Sequence, residues 1–360
     1  MLLALALVVG LILAEIGAGY WFWRLESSTG VSALGRLVRS ALNKETADGT
    51  DLGAMVTQYT PVSPFGPDPE LGFRLEPGRY TVRVQETGTV RHHTFQLTID
   101  AEGCRPASDR TVRDRTDPEI WLFGDSWVLG WGNDDASTLP WFLQRYLPDR
   151  RITSFANPGY GNLHALLQLR RLLQSRKAPE TMVIAYADYF HERNAATTER
   201  LAGFRAHPEA FREPGKERDR FTHPRARREG NQLRIDTIPL LGVTPGTTPV
   251  PKPPVDPDAD PDLKEQQAIT LLILEDILAL AQTHGARCVL AWLRGPGNDP
   301  VPGQAHKAGY EIADLRARAD RGEWDDFRPF DPHPGPRAQA AFAAKLRQAL
   351  EPPASPRSPD

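Results

Sequence analysis

Three short groups of residues in this 360-residue chain have types and spacings suited to chemistry at a carbonyl carbon. The first is Gly124-Asp125-Ser126, which follows the apolar run Ile120 to Phe123. That run reads as a buried strand, so the tripeptide reads as a tight turn opening a helix. A serine at such a corner exposes its hydroxyl at the carboxyl edge of a sheet. The helix N-terminal amides beside it can stabilise negative charge on an attacked carbonyl oxygen. The same residues also suit plain helix capping by Asp125 or Ser126. The second group, Asn157-Pro158-Gly159-Tyr160-Gly161-Asn162, follows another strand and opens another helix, and its glycines let backbone amides approach a ligand closely. The third, Asp331-Pro332-His333, precedes the last helix and offers an imidazole to take a serine proton and a carboxylate to orient it. His191, just past a third strand, is the reserve base.

These groups need elements that bring them to one place. From Glu119 onward the pattern alternates strand and helix. Strands are predicted at 119–123, 151–156, 181–187 and 287–293, and helices at 137–147, 163–175, 264–284 and 336–350. In the third helix Ile269, Leu272, Ile273, Asp276, Ile277 and Leu280 form the predicted core stripe. The alternation predicts a three-layer α/β/α sandwich with a mostly parallel sheet and a ligand site at the carboxyl ends of its strands. Upstream, Tyr80, Val82 and Val84 alternate with polar residues, as do Phe95, Leu97 and Ile99, which predicts a β-hairpin. His92 and His93 point to opposite faces of such a strand, so they are poor joint metal ligands and read as surface residues. Neither a metal nor an organic cofactor is expected.

Leu2 to Trp23 is apolar apart from Glu15 and ends in Tyr20, Trp21, Phe22 and Trp23. As a helix it would span roughly 33 Å, enough to cross a bilayer, and the aromatic end resembles an interfacial belt. We read residues 1–24 as a single membrane anchor; a cleaved signal peptide is the rival reading. Residues 25–58 read as a helical stalk, 59–116 as a small β-rich lead-in, 117–350 as the α/β domain and 351–360 as a disordered tail. A charged, proline-rich insertion at 200–262 interrupts the α/β domain. Its basic run (Lys216, Arg218, Arg220, Arg225, Arg227, Arg228) is interleaved with acids and reads as a solvated face. A net charge of -3 excludes a general nucleic-acid binder. Cys104 and Cys288 lie far apart and read as buried free thiols. Arg24, Arg36, Arg39 and Lys44 follow the anchor and by the positive-inside rule favour a cytoplasmic body.

In order and context, the three groups resemble the SGNH (GDSL) hydrolase family over about residues 117–350. The resemblance implies Ser126 as nucleophile, His333 as base and Asp331 as its orienting acid. It also implies the Ser126 amide and Gly161 as oxyanion donors. Two departures stand out. The family usually carries Gly-x-Asn-Asp after the third strand, where this chain has Asp188-Tyr189-Phe190-His191-Glu192-Arg193-Asn194. Asn194, Arg193 or Asn162 is the candidate replacement donor, since an ionised Asp188 cannot donate. The family commonly shows Asp-x-x-His, and here the spacing is Asp331-x-His333. Asp125 and Asn157 complete the secondary candidates. The implied activity is that of a serine esterase or O-acyl transferase acting through an acyl-enzyme on an ester of a cell-envelope glycan or lipid. Its body would be held outside the cytoplasm by the anchor. The alternative is an inactive SGNH-like domain that binds glycans or scaffolds an envelope complex.

Overall fold

A computed structural model describes residues 55–109, 118–205, 210–211, 221–240 and 260–351. The expected anchor, most of the expected stalk, parts of the insertion and residues 352–360 lie outside the described residues. Among those described, no helix is long and apolar enough to cross a membrane. In chain order they form β1 (Met55–Thr60), β2 (Phe65–Asp68), β3 (Gly72–Leu75), β4 (Gly78–Glu86), β5 (His92–Ile99), β6 (Glu119–Phe123), α1 (Ser126–Leu129), α2 (Leu139–Tyr146), β7 (Arg151–Ser154), α3 (Asn162–Leu172), β8 (Thr181–Ala187), α4 (Phe190–Ala195) and α5 (Thr198–Arg205). These are followed by β9 (Thr222–Glu229), β10 (Gln232–Pro239), α6 (Leu263–Thr283), β11 (Arg287–Arg294), α7 (Pro300–Ala308), β12 (Glu311–Asp314), β13 (Asp326–Phe327), β14 (Asp331–Pro334) and α8 (Pro336–Leu350).

The central sheet has the order β12-β11-β8-β6-β7, and every pairing in it is parallel. Its inner strands are continuous apolar runs because both faces are covered; every residue of β8 is buried. Helices α2 and α8 pack on one another, as do α3 and α6 and α4 and α6. From β6 the chain steps to β7 on one side and then to β8 on the other. The carboxyl end of β6 is therefore a topological switch point, where an open parallel sheet leaves a crevice. Asp262 caps α6 by accepting from the Glu265 amide at 2.8 Å. The buried face of α6 is Ile269, Thr270, Ile273, Leu274, Ile277, Leu278 and Ala281. Asp276, which we had placed in the stripe, instead pairs with Arg170 at 2.9 Å.

The predicted hairpin is β4–β5, and β1 extends it to an antiparallel sheet of order β1-β4-β5. Residues 55–58 thus correct the expected stalk helix. They alternate half-buried and exposed, the period-2 pattern of a strand paired with β4. His93 is also corrected. It is half-buried, its Nε2 lies 2.7 Å from the Gly132 carbonyl, and its ring stacks on Phe327 at 4.2 Å. In the insertion, Arg225 and Arg227 both pair with Asp236, and Arg228 pairs with Glu265. Cys104 and Cys288 are free and buried.

The lead-in and the sandwich share one hydrophobic core, and a buried arginine ties them together. The Arg105 side chain is 0% exposed. Its Nε donates to Asp135, Nη1 to the carbonyls of Leu129 and Gly130, and Nη2 to those of Gln96 and Asn133. One planar fork thereby satisfies the C-terminal carbonyls of α1, which no ammonium could reproduce. Arg105→Lys should cost about 3–5 kcal/mol in urea unfolding, because the half-buried Asp135 and several buried carbonyls lose their donors. Arg79→Ala, on the exposed face of β4, should stay within about 0.5 kcal/mol.

The β9–β10 hairpin docks through His223, which is fully buried and edge-on to His164 with ring centroids 5.0 Å apart. Burial and the nearby Arg200 push its pKa down to about 3, so it folds as the neutral ring. The unfolded chain binds a proton near pH 6.5 that the folded chain refuses, so stability is complete above that pH and is lost as the pH falls. The slope should be about 1.4 kcal/mol per pH unit for this histidine. His223→Phe should flatten the acid limb of a stability profile between pH 6.5 and 4. An unchanged slope would show that His223 is not the group being protonated.

Candidate active site

The turn after β6 is built by its neighbours. A Cβ on Gly124 would lie 2.4 Å from Val128 Cγ2 and 2.9 Å from Ala185 Cβ, so only glycine lets α1 fold back over β8. Asp125 is the N-cap and accepts from the Trp127 amide at 2.9 Å, and Gly130 closes α1 at φ +80. Ser126 is therefore the first residue of a four-residue helix, 5% exposed at the switch point.

His333 reaches it from 207 residues away, with Nε2 2.8 Å from Ser126 Oγ. Its Nδ1 meets Asp331 Oδ1, which also accepts the His333 backbone amide at 2.8 Å. Because Asp331 accepts the hydrogen bond from Nδ1–H, Nε2 is left as the acceptor facing the serine hydroxyl. Burial by itself would raise the Asp331 carboxyl, but the hydrogen bonds from His333 outweigh it and hold the carboxyl below its ordinary range. The pair sits on β14, which pairs with β13. Three contacts fix that ribbon: Asn133 Nδ2 donates to the Pro334 carbonyl at 2.9 Å, Asp325 caps α8 through the Ala338 amide, and Phe327 lies on His93. From α8, Gln339 donates to the Trp127 carbonyl and accepts from the Leu139 amide, locking α1 from the other side.

The segment after β8 corrects several expectations. Arg193 Nη1 donates to Asp125 Oδ2 at 2.8 Å and to the Tyr160 carbonyl at 2.7 Å, and the guanidinium lies over the Tyr189 ring. Tyr189 also donates to Asp125 Oδ2, at 2.9 Å. Its hydroxyl stays protonated because burial and that carboxylate raise its pKa. Asn194 is 0% exposed; its Oδ1 accepts the Leu163 amide and its Nδ2 donates to Thr270. This amide is a clasp between α3, α4 and α6, so the oxyanion role expected for it is not met. Gly161 is corrected for a related reason. Its amide donates to Nδ1 of the buried His164, and a Cβ on it would sit 2.8 Å from Asn194 Oδ1. The glycine serves helix packing, and its N–H faces inward.

The other candidates divide. Asn162 is 1% exposed and donates to the Ala185 carbonyl. Asp188 caps the Tyr189 amide and lies 3.6 Å from Arg294. His191 is 2% exposed, between the Tyr186 hydroxyl and Thr270 Oγ1, with burial lowering its pKa; it joins a Tyr186–Asp299 network away from Ser126. Asn157 stays at the nucleophile turn, because its backbone amide donates to the Gly124 carbonyl at 3.1 Å. Its side chain is 5% exposed, and its Oδ1 has no partner among the described residues. Half-buried Trp127, Tyr189 and Trp324 make an aromatic rim beside the serine, with Trp127 5.4 Å from Trp324 and 6.2 Å from Tyr189. Among the described residues, no three histidine, cysteine or carboxylate side chains converge as metal ligands.

Sequence reasoning missed His93, His164, Tyr189 and Gln339. For Tyr189 a signal existed, since it stands four residues before Arg193 and the two share one helix face. No comparable local signal marks the others.

No protein-family model matches the chain, and no curated protein matches it. Among solved structures it is similar to TesA, at 15% identity over 65% of this chain and 98% of that one, with a TM-score of 0.37. It is also similar to the psychrotrophic esterase EstA from Pseudoalteromonas sp., at 13% identity over 65% and 97% of the two chains, with a TM-score of 0.35. A member of the lipolytic G-D-S-L family from Veillonella parvula is similar at 12% identity over 64% and 96%, with a TM-score of 0.35. In the order of its motifs and in the serine–histidine–aspartate geometry they assemble, the chain resembles the SGNH hydrolases.

Proposed function

We propose that this protein is a serine-dependent esterase or O-acyl transferase, with Ser126 as nucleophile, His333 as general base and Asp331 as the acid that orients it. The observation that carries the reading is the 2.8 Å contact between Ser126 Oγ and an imidazole whose other nitrogen is held by Asp331. As the serine oxygen attacks the ester carbonyl carbon, its proton passes to His333 Nε2. The tetrahedral intermediate then expels the alcohol, which takes that proton, and leaves an acyl-serine. Water or a second hydroxyl, deprotonated by the same imidazole, attacks the acyl carbon and releases Ser126. Asp331 remains ionised throughout and stabilises the imidazolium formed at each step.

The oxyanion needs donors, and we assign them to the Ser126 amide at the start of α1 and to the Asn157 side-chain amide. Asn162 and Asn194 donate to other groups, whereas Asn157 lies against the turn with its Oδ1 unpartnered among the described residues. The aromatic rim suits a sugar or acyl chain laid across Trp127. We further propose that Leu2 to Trp23 tethers the body to a membrane, outside the cytoplasm, with an envelope glycan or lipid ester as substrate. The inward-facing amides of Gly161 and Asn194 favour one other reading, an SGNH-like fold that binds without turnover.

A fluorophosphonate probe separates the two, since it should label Ser126 in the folded protein; folded protein left unlabelled selects the binding module. On 4-nitrophenyl acetate, Ser126→Ala and His333→Ala should each lose about 10⁴-fold in kcat, with the double variant little worse. Full activity in either single variant removes the assignment.

Asn157→Ala should lose about 10²-fold in kcat with KM nearly unchanged, as expected when an interaction forms only with the oxyanion. Asn194→Ala should lower the melting temperature while sparing kcat of the folded fraction. The reverse pattern would return the donor to Asn194.

A further inference from the structure

Beside the nucleophile turn stands a cation that no carboxylate among the described residues pairs with. Arg200, on α5, donates from Nη2 to the Gly159 carbonyl at 3.0 Å and lies 4.0 Å over the Phe204 ring. Its Nε is buried with no partner, and among the described residues no carboxylate pairs with it. Gly159 belongs to the loop whose Asn157 amide holds the Gly124 carbonyl, and the next carbonyl, that of Tyr160, shares Arg193 with Asp125. Arg200 is thus one carbonyl away from the groups that support Ser126. The space is made by glycine: Gly159 has φ +89, and a Cβ there would come within 3.0 Å of Arg200 Nη2.

Charge decides what this corner lacks. Arg193 is paired with Asp125, which leaves Arg200 without an ion pair among the described residues. Burial and the adjacent Arg193 both lower its pKa, yet a guanidinium keeps its proton in proteins, so the cost persists as an unmet demand for an anion. Glu192 is close enough for its field to be felt but makes no ion pair, and burial raises its own pKa toward the neutral form. One charge on a planar fork matches one carboxylate.

We propose that Arg200, backed by Arg193, forms an anion-binding subsite beside Ser126, and that the ester taken by this site carries a carboxylate. The inference rests on the esterase reading for its location, and a binding measurement separates the two. With Ser126→Ala protein, calorimetry should show 4-nitrophenyl hydrogen succinate binding about ten-fold more tightly than neutral 4-nitrophenyl butyrate. The same preference should appear for 4-acetoxybenzoate over phenyl acetate if the carboxylate lies on the alcohol side. Adding Arg200→Gln should collapse the ratio toward one, and Arg200→Lys should restore part of it. In the unmodified protein, kcat/KM should favour the anionic member of the pair and lose that preference between 0.05 and about 0.5 M NaCl. Equal affinities within both pairs, or a preference that survives Arg200→Gln in protein of unchanged melting temperature, overturn the subsite. Tighter binding of 4-acetylphenyl phosphate than of 4-acetoxybenzoate would reject the carboxylate assignment. An anion preference in binding without any ester turnover would leave the subsite standing and remove the esterase reading.

Discussion

The site depends on a buried carboxylate that does no chemistry of its own. Asp125 is 0% exposed and receives three donors: the Trp127 amide, the Tyr189 hydroxyl and Arg193 Nη1. The first sets the start of α1 and hence the direction of Ser126, and the other two bind α4 to that turn. A lone carboxylate so deeply buried would be expensive, and the ion pair with its two added hydrogen bonds makes it tolerable. Arg193 then extends the arrangement to the Tyr160 carbonyl, so the loops after β6, β7 and β8 share one guanidinium.

The reacting groups themselves are held from far along the chain. Ser126 and His333 are 207 residues apart, and the bonds that keep them in register span similar distances, from Asn133 to Pro334 and from Gln339 to Trp127. Arg105 adds a brace from the lead-in, placing its guanidinium under the end of α1. Three braces of different origin thus limit how α1 and β14 can move relative to each other, which is the condition for a short serine–imidazole contact to persist.

Much of this was legible in the residues, and the boundary is physical. The strands β6, β8 and β11 were readable because a continuous apolar run bounded by turn residues has few other uses, and α8 because its spacing is purely local. Ser126 and His333 were readable because their types and strand-end context are local too. The roles of Gly161 and Asn194 were misread for the opposite reason. Whether an amide faces a cleft or a buried histidine depends on how α3 meets α4 and β9, and neither residue's neighbours in sequence encode that. His93 failed similarly: it was read as a surface residue, because only the fold brings Phe327 against its ring. Residues 55–58 were joined to the stalk with no helical spacing of their own, and pairing with β4 makes them a strand.

The replacement of the usual asparagine region by Tyr189 and Arg193 also changes the field at the serine. In a site where a neutral amide points at the oxyanion, the donor adds a dipole and little else. Here the charge carried by Arg193 is matched by Asp125, so that pair presents the cleft with a nearly cancelled field at short range. When His333 takes the serine proton, the imidazolium is likewise matched by Asp331. Two neutral pairs then flank a carbonyl whose oxygen is becoming negative, and the charge of Arg200, which has no ion-pair partner among the described residues, is left to tilt the local potential. That tilt acts on any anion in the cleft, whether it belongs to the substrate before reaction or to the tetrahedral oxygen during it. A substrate that brings its own carboxylate uses the charge for binding, and one that does not leaves it available to the transition state. On the proposed reading the corner trades affinity against rate according to what the substrate carries, a consequence of a cation with no carboxylate partner among the described residues.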